Sequence, residues 1–295
     1  MKQRLISAAV FLTLLIPVFI LPRYGLPVLA VAIIVGSLIE IMRAMDLLKK
    51  WYISVPYLMF GVAVPVLVWL NIGYFFTVNV NAFITVNIHN FVSILFYPII
   101  VLLFYTLFAA VFAKGKLDIT KLSLLFMLAI YITIGAVSIV AIHEWYSYWF
   151  LMVFFTPWLT DTGAHLIGSK FGKRKLIPEI SPNKTVTGAV GGIIFNVIAF
   201  ITLFIINNSL GEEIAFLETT PSFITMIIIA IVSAIVVIMG DLVESLIKRH
   251  YGIKDFSNIM PGHGGIFDRF DSMIAVAPVL LIIFYYTLTP QINIF

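Results

Sequence analysis

Asp241, Glu244, Ser245 and Lys248 stand at i, i+3, i+4 and i+7, so on a helix they form one polar stripe. The run before them, IVSAIVVIMG, is apolar and puts Asp241 in or near hydrocarbon. A carboxylate there is expensive and marks a functional position. A second acidic pair, Asp268 and Asp271, brackets Arg269. At a helix start such residues are favoured by the dipole, so Asp271 is expected to cap and Asp268 to join Asp241. Carboxylates converging from two helix ends suit a hard, oxygen-seeking cation such as Mg2+, which shares its sphere with phosphate oxygens. There is no cysteine and the five histidines are dispersed, which excludes thiolate chemistry and disfavours zinc. The catalytic set is expected to be Asp241, Lys248, Asp268 and Asp271, with Asp241 and Asp268 as metal ligands.

Between the two acidic groups lies Pro261-Gly262-His263-Gly264-Gly265. Glycines allow close backbone approach, and consecutive amides in such turns form anion-binding nests. Flanked by Lys248, Arg249, Lys254 and Arg269, the turn is expected to cradle phosphate, with His263 either touching phosphate or folding the turn. Ser245, His263, Gly264 and Gly265 join these cations as substrate-binding candidates. Upstream, Asp161 is another carboxylate near membrane depth, and His165 lies four residues on, on the same helix face. Ser181, Lys184 and Thr185 precede a new apolar helix. Ser181 or Thr185 is its expected N-cap, and a helix start beside a lysine is also an anion site. Gly188, Gly191 and Gly192 give that helix a small face for close packing.

These residues are positioned by membrane helices. Hydrophobic residues make up 62% of the 295 and charged ones 11%, which excludes an ordinary soluble domain. The mean hydropathy is +1.11. The predicted fold is all-α and membrane-integral, with about nine crossings at 5–21, 26–42, 53–78, 91–113, 121–142, 147–168, 187–207, 222–247 and 272–290. With the N-terminus in the cytoplasm, 17 of the 18 basic residues fall on the cytoplasmic side and only Arg23 falls outside, with Glu144, Glu212, Glu213 and Glu218. The C-terminus is then outside, and both polar loops face the cytoplasm. Residues 1–150 are expected to form a scaffold of membrane helices and 151–295 to carry the catalytic loops, within one integrated membrane domain. No feature suggests a nucleic-acid partner.

Ser245, Lys248-Arg249, Lys254-Asp255, Pro261, His263-Gly264-Gly265, Asp268-Arg269 and Asp271 fall at the spacing of the phosphatidate cytidylyltransferase signature, with Met260 at an apolar position. The chain resembles that family. The earlier loop is similar to it too, in Asp161, Gly168, Phe171-Gly172, Pro178, Ser181-Pro182, Lys184-Thr185, Gly188 and Gly191-Gly192. The resemblance is close over roughly 155–290. Thr187 departs from it, standing where the family usually has Glu, and His165 stands where an aromatic is common. The resemblance implies transfer of CMP from CTP to phosphatidate, giving CDP-diacylglycerol and pyrophosphate at the bilayer. It also implies Mg2+, a second, monovalent cation such as K+, and a homodimer with contacts through the N-terminal helices. Two alternatives are a CTP-dependent lipid-alcohol kinase and a membrane transporter. A transporter places its polar groups near the midplane, often in paired repeats, whereas here they cluster at one face.

Overall fold

The computed structural model describes residues 13, 15–74, 80–209, 221–259 and 264–288. Eight long helices run through them: α1 Pro22–Ala44, α2 Trp51–Tyr74, α3 Val80–Phe112, α4 Ile119–Tyr146, α5 Leu151–Phe171, α6 Val186–Ser209, α7 Phe223–His250 and α8 Phe267–Leu288. Of the expected helix at 5–21, residues 13 and 15–20 are helical, and 5–12 and 14 lie outside the described residues. Among the described residues seven helices are long and apolar enough to cross a membrane, and the chain is a multi-pass membrane protein. α5, which carries Asp161, His165 and Lys170, is not among the seven.

The departures from the expected boundaries are local. α3 begins at Val80, because the Asn and His residues of its first turns lower hydropathy without breaking a helix. α8 begins at Phe267, so Asp268 and Asp271 both lie in its opening turns. Among the described residues one β-hairpin interrupts the helices. Lys175–Ile177 (β1) and Ser181–Thr185 (β2) pair antiparallel, Lys175 opposite Thr185 and Ile177 opposite Ser181, with an irregularity between. Pro178 and the Ile180 amide, which bonds Ile177 O at 3.2 Å, close the turn.

The chain divides into two compact units. The first comprises Met1–Glu144 and His250–Phe270. In it α1 packs on α2, where Gly61 receives Ile34 and Leu38, and α2 packs on α3 through a buried Tyr57–Thr106 hydroxyl bond of 2.8 Å. Lys121 reaches back to Met45 O, 3.1 Å away, beyond the end of α1. The second unit comprises Trp145–Arg249 and Asp271–Phe295. Its α5 and α6 meet along glycines: a Cβ at Gly163 would run into Phe195, and one at Gly188 would lie 2.9 Å from Ala164 O. Buried Asn196 joins α6 to α7, donating to Ala230 O at 2.8 Å and Ser233 Oγ at 3.1 Å.

Candidate active site

In the second unit the polar stripe of α7 forms as its spacing predicts. Lys248 Nζ lies 2.6 Å from Glu244 Oε2, one turn away, and Ser245 Oγ is 3.5 Å from Asp241 Oδ1. Lys184, at the end of the hairpin, forms an ion pair with Asp241 Oδ2 and donates to Ile238 O at 3.4 Å. Gly240 brings α8 against α7 just before Asp241: a Cβ there would lie 3.3 Å from Ser272 Cα and 3.4 Å from Asp271 O. This close approach sets Asp271 beside the stripe. Oxygens of Asp241, Glu244 and Asp271 all lie within 4.8 Å of one another, with Glu244 only 2% exposed. An all-oxygen set of three carboxylates at that spacing fits a hard divalent cation.

A cavity of about 480 Å3 adjoins the group. Asp161 and His165 of α5, Lys175, Asn183, Lys184 and Thr185 of the hairpin, and Ile238 of α7 line it. Lys184 therefore belongs both to the cavity and to the carboxylates. Thr185 Oγ1 accepts the Gly188 amide at 3.1 Å and is the N-cap of α6, so that role goes to Thr185 rather than Ser181. The hairpin is held from both sides, by Val186 N on Arg174 O at 3.0 Å and by Arg249 Nε on Ile180 O at 3.4 Å. Arg249 is otherwise exposed.

In the first unit the loop after α7 folds onto a carboxylate. Asp268 Oδ2 accepts the amides of Phe256 at 2.9 Å and Gly265 at 2.8 Å. Gly264 takes φ +85°, and Phe256 stacks edge-on against Phe267 at 5.1 Å. The amides of Ile266 and Phe267 go to Glu40 of α1, at 2.9 and 3.0 Å. One amide of the expected phosphate cradle, that of Gly265, is thus bonded to the protein's own Asp268, and the two amides that follow the turn, Ile266 and Phe267, go to Glu40. His263 lies outside the described residues. Lys254 and Arg269 are exposed on this segment.

The geometry exchanges the two acidic residues relative to the sequence expectation. Asp271 stands in the carboxylate group, and Asp268 receives backbone amides. Spacing alone did not single out Glu40, although a carboxylate within a membrane helix is itself a signal.

The cytidylyltransferase family matches residues 2–287. A phosphatidate cytidylyltransferase of Staphylococcus saprophyticus is 39% identical over 173 residues, covering 59% of this chain and 63% of that one. One from Bacillus subtilis is 38% identical over 173 residues, 58% of this chain and 61% of that one. One from Staphylococcus aureus is 35% identical over 173 residues, 59% and 63%. The alignments span less than two thirds of these relatives' own length. With a family match that runs through nearly all of its helices and both polar loops, the chain belongs to the cytidylyltransferase family.

Proposed function

We propose that this protein transfers CMP from CTP to phosphatidate, releasing pyrophosphate and leaving CDP-diacylglycerol in the bilayer. The observation that carries this reading is Lys184, which belongs at once to the three-carboxylate group and to the adjoining cavity. A cavity of about 480 Å3 is large enough for a nucleotide or a lipid headgroup. The names of the relatives support the substrates, and the seven apolar helices suit a lipid acceptor. The basic-residue count supports a cytoplasmic face for the site, where CTP is found.

In the reaction a phosphatidate oxygen forms a bond to the α-phosphorus of CTP, and the bond to the β-phosphate oxygen breaks. That oxygen is already ionised at neutral pH, so no strong general base is needed. Asp241, Glu244 and Asp271 would hold Mg2+, which supplies charge neutralisation between the two anionic substrates and on the departing pyrophosphate. Lys184 is placed to leave Asp241 for a phosphate oxygen in the cavity. Lys248, paired with Glu244, keeps the α7 stripe in order, and Arg249 braces the hairpin that carries Lys184. Such transfer depends on positioning and electrostatics more than on covalent catalysis.

The test is a product assay on purified protein with phosphatidate, an added prenol or diacylglycerol, Mg2+ and CTP labelled at the α- or the γ-phosphorus. Entry of α-label into lipid with release of pyrophosphate is the expected result. Transfer of γ-label to a lipid alcohol with release of CDP would replace this reading with a kinase.

A further inference from the structure

α1 turns two residues four apart, Gly36 and Glu40, toward the segment that leads into α8. Gly36 leaves the space that Ile266 fills: a Cβ there would overlap the Ile266 side chain. Glu40 is fully buried. Its Oε1 accepts the Ile266 amide at 2.9 Å and the Ser257 hydroxyl at 2.5 Å, and its Oε2 accepts the Phe267 amide at 3.0 Å. Gly265 comes so close to the same carboxylate that any side chain there would collide with it.

The physical logic is specific. Phe267 opens α8, so its amide and that of Ile266 have no carbonyl partner within the helix. The partial positive charge of the helix is concentrated there. A carboxylate buried in an apolar helix is strongly unfavourable unless donors of this kind meet it. Here three donors from one loop converge on it, and two glycines, one on α1 and one on the loop, permit the approach. Asp268 then fastens the other side of the turn through Phe256 and Gly265. The first turn of α8, which leads to Asp271, is thereby pinned at its start.

We propose that Glu40 is a positioning residue: it sets the start of α8, and through α8 the place of Asp271 among the carboxylates. Glu40 touches no substrate. The part of this inference that concerns cation binding rests on the function proposed above; the part that concerns the loop does not.

The test uses the full-length protein in detergent with Glu40→Gln, which keeps the size of the side chain but turns an amide group toward backbone N–H. Hydrogen exchange at Ile266 and Phe267, Mn2+ binding followed by its paramagnetic resonance, and the Mg2+ needed for half-maximal CMP transfer are read together. Exchange at those two amides should quicken, and Mn2+ affinity and Mg2+ activation should weaken, each by about tenfold, with the unfolding temperature nearly unchanged. Wild-type exchange and Mn2+ affinity in folded Glu40→Gln would overturn the proposal. Should that variant fail to fold, Ser257→Ala removes a single donor and is expected to quicken exchange about threefold; no change there would overturn it equally. A wild-type protein that binds no Mn2+ and transfers no CMP would sink the functional reading, while the exchange data would still decide whether Glu40 holds the loop.

Discussion

Lys184 and Asp241 form an ion pair between the hairpin and α7, and Asp241 is at the same time one of three clustered carboxylates. A divalent cation bound by that group would therefore compete with the Lys184 ammonium for one carboxylate. Lys184→Ala should lower the Mg2+ needed for half-maximal rate severalfold and raise the KM for CTP by about tenfold. Titrations of Mg2+ and CTP on the two proteins check both directions; parallel changes in the two constants would contradict the competition.

Asp271 and Asp268 should respond differently to the same chemical change. Asp271→Asn removes a charge from the three-carboxylate group, and the rate of CMP transfer is expected to fall roughly 1,000-fold. Asp268→Asn leaves an oxygen able to accept the Phe256 and Gly265 amides, so the rate should stay within roughly tenfold of wild type. Asp268→Ala should fall well below Asp268→Asn. Steady-state rates of the three variants separate an amide acceptor from a metal ligand.

Gly240 lets α8 approach α7 immediately before Asp241. Gly240→Val should force the two helices apart, destabilising the protein by about 1–3 kcal/mol. Mn2+ affinity should drop with it, because Asp271 moves with α8. Thermal unfolding and Mn2+ titration give the two readings.

The Thr187 hydroxyl is buried and has no hydrogen-bond partner among the described residues. Thr187→Val replaces it with an apolar group of the same shape. Stability should be unchanged or rise by up to about 1 kcal/mol, and the rate should be unaffected. A clear loss of rate would place the hydroxyl at a substrate.

The helices were legible in the sequence because length and apolarity dictate them, and eight of the nine expected positions carry a described helix. The α7 stripe was legible because i, i+3, i+4 and i+7 on a helix leave no freedom of direction. Asp268 and Asp271 could not be told apart, because both suit a helix start and only the turn before them decides which side chain folds back to the amides. The hairpin was hidden by its composition: Ser-Pro-Asn-Lys-Thr has little strand propensity, and its pairing comes from the tether at each end. Glu40 lay furthest from reach, since its partners are more than 215 positions away along the chain.

The glycine seam between α5 and α6 has a consequence for how greasy molecules move. Gly163 and Gly168 on one helix face Gly188, Gly191 and Gly192 on the other so closely that added methyls would collide with backbone or side-chain atoms. Two rods in such contact shift together as a plank and do not part like shutters. This flank of the cavity is a wall, and the two-tailed acceptor proposed above is expected to enter by a different doorway.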